Sequence, residues 1–156
     1  MRVGIITVSD GVSRDGDPDH AGVEIEAVLR AGLPEVEIER RAVSEEPHAV
    51  RGALEDSADC EFVLTTGGVG IAEHEIVPEV TEAYCDRLLP GVAEALRAAS
   101  MHETPLAMLI RSVAGIKGAT IIVNLPESVQ HLRVASRALL PIMRHTPAMI
   151  RGEDTE

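Results

Sequence analysis

The stretch "TTGGVGIAEHEIVPE", residues 65–79, places three glycines ahead of four ionisable side chains in one short segment. Gly67, Gly68 and Gly70 allow the backbone to adopt left-handed conformations and to approach a ligand closely. The N–H groups of such a loop, and those of a helix that follows it, can point at an anion. The pattern therefore favours phosphate binding, although glycines that only form a tight turn after a strand would look the same. Neither a Walker A loop nor a GxGxxG fingerprint is present.

Carboxylates in neighbouring loops are a second group that could do chemistry. A few carboxylates together with phosphate oxygens suit Mg²⁺. In a chain with 26 acidic and 14 basic residues, however, loop carboxylates are also an ordinary solvated surface, so each acid taken alone is weak evidence. The candidates are Asp10, Asp15, Asp19, Glu45, Glu46, Glu73 and Glu75.

The elements that would position these loops follow from hydrophobic patterning. Strands are predicted at 2–8, 35–43 and 60–68, where the runs are apolar or alternate with period two. A strand pair is predicted in the apolar segments around "GIKG", with the second strand ending at Asn124. Helices are predicted at 23–31, from Pro47, from Pro78 to about Cys85, from about Pro90, and over about Ser128–Arg144. The segment between the first strand and the first helix is expected to be a long loop.

This alternation of strands and helices predicts an α/β fold. We expect a three-layer α/β/α sandwich with a mostly parallel mixed sheet, formed by a single domain over residues 1–150 with a polar tail at 151–156. In such folds, ligands bind beyond the carboxyl ends of the strands. The loops "SDG", "SEE", "TTGGVG" and "NLPES" lie at those ends.

Composition excludes several classes of function. The formal net charge is −12 and aromatic content is 1%, which disfavours attraction to nucleic acid and removes base-stacking side chains. No stretch approaches the ~20 apolar residues that span a bilayer. Cys60 and Cys85 are isolated and the N-terminus is not signal-like, so we expect a cytoplasmic protein with reduced thiols. The six histidines lack metal-ligand spacing, which argues against a zinc site.

Five motifs in order along the chain resemble the Mog/MoaB family of molybdenum-cofactor biosynthesis proteins. The resemblance covers nearly the whole chain, and the ordered set is more specific than any single member. The motifs are "TVSDG" after the first strand, "DxxG" at Asp19–Gly22, "TTGGVG" with the acid and "PE" that follow it, "IR" before the hairpin, and "NLP" after the last strand.

The resemblance implies an oligomeric enzyme, a trimer or hexamer, that binds molybdopterin. Active members of the family transfer AMP from Mg·ATP to the terminal phosphate of molybdopterin. Molybdopterin and ATP are then the substrates, with Mg²⁺ as cofactor and possible contact with the molybdenum-insertion protein. By motif matching, Glu45 and Glu75 stand at the catalytic positions and are the candidate Mg²⁺ ligands. The implied substrate-binding residues are Asp10, Thr66, Gly67, Gly68, Val69, Gly70, Arg111, Asn124, Pro126 and Ser128.

The chain departs from the family pattern at the ligand edge. Val69 replaces a threonine, Glu75 replaces an aspartate, Ala21 replaces a serine, and Glu127 stands where a glycine is usual. These changes leave open an alternative function, a binding or scaffold protein that has the fold but has lost adenylyl transfer. A CinA-like nucleotide hydrolase is a third hypothesis, disfavoured because we expect this chain to lack further domains.

Overall fold

The computed structural model describes residues 1–153 and forms a six-stranded mixed sheet between two layers of helices. The strands are β1 (Arg2–Val8), β2 (Glu37–Val43), β3 (Phe62–Thr66), β4 (Arg87–Leu88), β5 (Ala114–Lys117) and β6 (Thr120–Leu125). The helices are α1 (Asp10–Arg14), α2 (His20–Gly32), α3 (Pro47–Asp56), α4 (Val77–Tyr84), α5 (Pro90–Met101) and α6 (Val129–Ile150), with a 3-10 helix at Pro105–Leu109. The predicted α/β/α sandwich is confirmed.

The strand order is β2-β1-β3-β6-β5-β4. The first four strands in this order are parallel, whereas β5 is antiparallel to β6 and β4 is antiparallel to β5. The carboxyl ends of β1, β2, β3 and β6 therefore meet at one edge of the sheet. The chain moves from β1 outward to β2 and returns to β3 on the other side, so this edge contains a topological switch point, the usual place for a ligand in such sheets.

Two aliphatic clusters, one on each face of the sheet, hold the layers together. Strand β1 contributes to both, because successive side chains of a strand point to opposite faces. Val3 and Ile5 of β1 pack with α2 and α6, while Ile6 and Val8 of the same strand pack with α3 and the loop that precedes α4. All four side chains are at most 2% exposed. The rigid sheet fixes where its terminal loops lie.

Several boundaries differ from those predicted. The expected loop after β1 contains the short helix α1, in which Ser9 accepts a hydrogen bond from the Val12 N–H, and α2 begins at His20 rather than Val23. The first apolar segment of the predicted strand pair is partly the 3-10 helix, because Pro105 begins it and the Thr104 side chain accepts from the Leu106 N–H. The strand pair itself is present as β5 and β6.

The last helix is longer than expected, and one short strand was missed. Helix α6 contains Pro141 and continues beyond Arg144, across Pro147, to Ile150. The edge strand β4 has two residues, too few for a periodic signal. Residues 151–153 follow α6, and the remainder of the predicted polar tail, 154–156, lies outside the described residues. Within residues 1–153, no helix combines the length and apolarity needed to cross a bilayer.

Candidate functional site

The glycine loop that follows β3 is shaped by two residues in left-handed conformations. Gly67 has φ +92° and Gly68 has φ +68°, values that L side chains rarely adopt. A Cβ atom at Gly67 would lie 2.4 Å from the Val8 carbonyl oxygen, and one at Gly68 would lie 2.6 Å from a methyl group of Val77. The sequence therefore needs glycine at both positions for the loop to pass between β1 and the start of α4.

This conformation leaves a row of backbone donors at the sheet edge. Within residues 1–153, the N–H groups of Gly67, Gly68 and Val69 donate no hydrogen bond. Successive N–H groups in a turn of this kind form a concave cradle that suits an anion. The loop is thus able to bind a phosphate group through its main chain.

The Glu75 side chain folds back onto the glycine loop and bonds to its main chain. Its carboxylate accepts a hydrogen bond from the Gly70 N–H at 3.0 Å and another from the Ala72 N–H at 3.0 Å. A Cβ atom at position 70 would lie 2.4 Å from the nearer carboxylate oxygen, so a larger residue there would displace the Glu75 carboxylate from this contact. The negative charge of Glu75 is consequently held beside the cradle.

Arg111 holds the outer side of the glycine loop. Its Nε donates to the Gly70 carbonyl at 2.7 Å, and its Nη2 donates to the Glu75 carbonyl at 2.5 Å. Nη1 forms an ion pair with Glu79, and this contact lowers the pKa of the Glu79 carboxyl. The Arg111 N–H also donates to the Val69 carbonyl at 2.8 Å. The guanidinium is therefore engaged by the loop and by α4.

A buried polar network lies beneath the loop, where β3 and β6 end. The Asn124 amide nitrogen donates to the hydroxyls of Thr65 and Thr81, both at 2.9 Å, and its oxygen accepts from the Val113 N–H at 3.1 Å. The Asn124 side chain is fully buried. This network ties β3, β6 and α4 to one another and so fixes the spacing of their loops.

The connection from β6 to α6 forms the other wall of the site. The Thr66 hydroxyl donates to the Pro126 carbonyl at 2.8 Å, which joins this connection to the end of β3. Ser128 is the N-cap residue of α6, and its side chain makes no capping hydrogen bond. The first N–H groups of a 22-residue helix therefore face the site with the positive end of its dipole.

Carboxylates concentrate on one side of this edge. Asp10 accepts a hydrogen bond from the Glu45 N–H at 2.9 Å, and the Glu45 carboxylate lies 3.8 Å from the His74 Nε2. Partial burial, and then the negative charge of Asp10, raise the pKa of the Glu45 carboxyl, while His74 opposes the shift. Glu127 and Glu75 add smaller contributions in the same direction as Asp10. A cation would relieve the repulsion among these groups.

The donor set suits Mg²⁺ bound together with a nucleotide. Within the described part of the chain, no three His, Cys, Asp or Glu side chains are grouped so that they could hold a metal ion by themselves. Mg²⁺ in nucleotide sites needs only one or two protein carboxylates, because phosphate oxygens and water complete its shell. The repulsion around Glu45 makes this carboxylate a suitable partner for such an ion.

Two cavities open at the sheet edge and share Glu127 as a wall. The first, the glycine-loop cavity, has a volume of about 200 Å³ and is lined by Gly68, Val69, Gly70, Ile110, Ser128 and His131 among others. The second, the α2 cavity, has a volume of about 150 Å³ and is lined by Thr7, Ser9, Asp19, His20, Thr66 and Val129 among others. Glu127 is exposed and lines both. Within residues 1–153, no lysine or arginine side chain lines either one.

The residues expected from the sequence to form the site fall into two groups. The first group lines a cavity and consists of Thr66, Gly68, Val69, Gly70, Glu75, Pro126 and Ser128. The second group, Asp10, Glu45, Gly67, Arg111 and Asn124, lines neither cavity, and the contacts above show Asp10, Arg111 and Asn124 bonded to other parts of the chain. Their roles toward a substrate stay predictions.

Other lining residues were not anticipated. His131 lies in the first turn of α6 and Leu106 lies on the 3-10 helix, and both line the glycine-loop cavity. His20 begins α2 and lines the α2 cavity. The only signal available for His131 was its spacing of three residues from Ser128, since the histidines are scattered singly along the sequence.

Comparisons with known proteins identify the family. The model described as "Probable molybdopterin binding domain" matches residues 4–145. A molybdopterin adenylyltransferase of Helicobacter pylori is 33% identical over 97% of this chain and 89% of its own length. One from Escherichia coli K12 is 35% identical over 81% of this chain and 67% of its own length.

Solved structures agree with this similarity. The molybdopterin biosynthesis enzyme MoaB from Thermus thermophilus superposes with a TM-score of 0.88 at 38% identity and covers 99% of both chains. The tungsten cofactor synthesizing protein MoaB from Pyrococcus furiosus superposes with a TM-score of 0.85 at 28% identity, over 96% of each chain.

Proposed function

Because the chain belongs to the family of probable molybdopterin-binding domains that includes Mog and MoaB, we propose that it is a molybdopterin adenylyltransferase of molybdenum cofactor biosynthesis. In this reaction an oxygen of the terminal phosphate of molybdopterin attacks the α-phosphorus of ATP. The bond to the β-phosphate breaks, and pyrophosphate leaves. The relatives named for this activity align over most of this chain, which supports the assignment.

The observation that carries the proposal is the pairing of two main-chain donor groups at one sheet edge. Gly68 and Val69 of the glycine loop and His131 in the first turn of α6 line the same cavity, the glycine-loop cavity. Adenylyl transfer depends mainly on positioning and on stabilising negative charge on phosphate oxygens. Two donor groups around one cavity, with the α2 cavity adjoining it at Glu127, suit a reaction that brings two phosphorylated molecules together.

The acidic side chains have a complementary role in the proposal. Glu45 and Glu75 would hold Mg²⁺ with the nucleotide, and Asp10 would keep Glu45 in place through its bond to the Glu45 N–H. Bound there, Mg²⁺ would neutralise charge on the phosphates of ATP and on the leaving pyrophosphate. Glu75 has a second task, since its carboxylate also orders the glycine loop.

We expect a homotrimer or hexamer that acts in the cytoplasm, with possible contact to the molybdenum-insertion protein, and no binding of nucleic acid at physiological salt. Light scattering at micromolar concentration tests the assembly, and a monomer would contradict it. Sub-micromolar binding to an oligonucleotide would contradict the charge argument.

The experiment that tests the activity is direct. Purified protein is incubated with molybdopterin, ATP and Mg²⁺, and adenylylated molybdopterin is measured by mass spectrometry. Product that depends on protein and on Mg²⁺ supports the enzyme. Binding of molybdopterin without product would favour the alternative, a binding or scaffold protein of the same fold, for which the buried Val69 and the carboxylate of Glu127 are the motivating observations.

A further inference from the structure

We infer that Glu127 is a specificity-determining residue that excludes free phosphate-containing anions from both cavities and admits them as complexes with a divalent cation. The inference rests on the proposed function, because it concerns which form of the substrates the same site accepts.

Glu127 forms a wall that the two cavities share. Its side chain lines the glycine-loop cavity on one side and the α2 cavity on the other. Apart from Glu127, the two cavities are lined by apolar side chains, hydroxyls, histidines and backbone. Asp19 and Glu75 are the other acidic residues in the two linings. Asp19 accepts hydrogen bonds from the Gly22 N–H and the Thr7 hydroxyl, and Arg40 offsets its charge through an ion pair at 3.5 Å. Glu75 is likewise bonded to the loop.

Unlike Asp19 and Glu75, the carboxylate of Glu127 has no partner in the part of the chain that the structure describes. Within residues 1–153, Glu127 accepts no hydrogen bond and forms no ion pair within the limits of a salt bridge. It immediately precedes the N-cap Ser128, where a negative charge interacts favourably with the positive end of α6. The carboxylate of Glu127 and an incoming phosphate would therefore compete for the positive end of the α6 dipole.

No lysine or arginine among residues 1–153 lines either cavity to offset the charge of Glu127, and Arg40 is paired with Asp19. The linings include His20 and His131. Arg111, the guanidinium that the structure shows in contact with the glycine loop, is engaged by Gly70, Glu75 and Glu79. An incoming phosphate can be neutralised by a divalent cation that it brings with it, which also satisfies Glu127.

The test measures binding rather than turnover. Calorimetric titrations of pyrophosphate, each with excess EDTA and with Mg²⁺, are compared for the natural protein, Glu127→Gln and Glu127→Asp. Glu94→Gln serves as a matched control, because Glu94 is exposed on α5 and lines neither cavity. Glu94→Gln removes one negative charge from the protein, as Glu127→Gln does.

The expected result is a change in metal dependence confined to one variant. Without metal, Glu127→Gln should bind pyrophosphate at least tenfold more tightly than the natural protein, equivalent to about 1.4 kcal/mol. Addition of Mg²⁺ should then increase affinity less for Glu127→Gln than for the natural protein. Glu127→Asp and Glu94→Gln should keep the natural metal dependence.

Two outcomes overturn the inference. One is equal metal-free affinity of the natural protein and Glu127→Gln, and the other is a failure of both to bind pyrophosphate with or without Mg²⁺. The adenylylation assay is scored separately. If the natural protein forms no product but Glu127→Gln gains metal-free affinity, the proposed function fails while the selectivity of Glu127 stands.

Discussion

The Nε of Arg111 donates a hydrogen bond to the Gly70 carbonyl at 2.7 Å, across 41 positions of the chain. Together with its bond to the Glu75 carbonyl and its ion pair with Glu79, this contact ties the glycine loop to the segment before β5 and to α4. A guanidinium has five N–H donors in a fixed planar fork, whereas an ammonium is a single point of donation. Arg111 is therefore a positioning residue for the loop in this structure.

Arg111→Lys should retain the positive charge but lose the simultaneous hydrogen bonds to the Gly70 and Glu75 carbonyls. We expect kcat/KM for adenylylation to fall at least tenfold, about 1.4 kcal/mol of transition-state stabilisation. Hydrogen exchange of the bonded Gly70, Ala72 and Glu75 amides should become faster, which a direct contact between Arg111 and substrate would not produce in the free protein. Arg87→Lys, an exposed position on β4, is the control. Unchanged exchange in Arg111→Lys would contradict a positioning role.

Replacing Asn124 should weaken folding through the network beneath the site. Asn124→Ala removes three hydrogen bonds and leaves the Val113 N–H and two hydroxyls to find other partners in a buried region. We expect a loss of about 2–4 kcal/mol in the free energy of unfolding, since each buried group left unsatisfied costs about 1–3 kcal/mol. Thr81→Val removes one of these bonds and should cost less. Urea denaturation of both variants measures the difference.

Restoring the threonine of the family pattern at position 69 should not help this protein. Val69 is 4% exposed and belongs to the aliphatic cluster with Val8, Val77 and Ile110. A hydroxyl buried there without a partner costs about 1–3 kcal/mol. We expect Val69→Thr to lower the melting temperature with unchanged or reduced activity, while Val23→Thr at an exposed position changes neither. Increased activity in Val69→Thr would show that the loop has lost a catalytic hydroxyl.

Much of the fold and the place of the site could be predicted from patterns along the sequence. Continuous apolar runs located β1 and β3, and the turn chemistry after them located the loops at the shared edge. The short helix α1 and the 3-10 helix were missed because each has five residues, less than two helical turns, so no periodic signal develops.

The contacts of the individual site residues could not be predicted in the same way. Arg111 and Asn124 were identified by motif as neighbours of the substrate, and the structure places both at the edge where the loops meet. Their hydrogen-bond partners, however, lie up to 59 positions away in the chain, and only the packed sheet brings them together. The shared wall formed by Glu127 likewise depends on two cavities whose linings come from several separate segments.

The pKa of Glu45 predicts a dependence of stability on pH. Burial and the nearby Asp10 raise this pKa in the folded protein, so the folded state binds more protons than the unfolded state between the ordinary glutamate pKa and the raised value. Stability contributed by this group is therefore present at lower pH and is lost as pH rises through that interval.

Glu45→Gln should remove this penalty. We expect the variant to have a higher urea midpoint than the natural protein at pH 7 and the same midpoint at a pH below the ordinary glutamate pKa. Glu55→Gln, on the exposed surface of α3, should not reproduce the pattern. A Glu45→Gln variant that is less stable at pH 7 would show that the attraction to His74, 3.8 Å away, outweighs the repulsion.

Glu75 allows the structural and catalytic roles of one carboxylate to be separated. Both of its oxygens accept backbone N–H bonds, so Glu75→Gln keeps one acceptor and turns an amide N–H toward a backbone donor, whereas Glu75→Asp keeps the charge on a side chain one methylene shorter. If Glu75 also binds Mg²⁺, Glu75→Gln should lower kcat/KM by more than tenfold, and raised Mg²⁺ should restore part of the loss. Glu75→Asp should leave kcat/KM unchanged or reduced, because a displacement of about 1 Å disturbs strict metal geometry.

Exchange of the Gly70 and Ala72 amides in both variants shows how far the loop itself has loosened. Activity of Glu75→Gln equal to that of the natural protein would exclude a catalytic role, and loosening with no response to Mg²⁺ would leave Glu75 as a purely structural part of the loop.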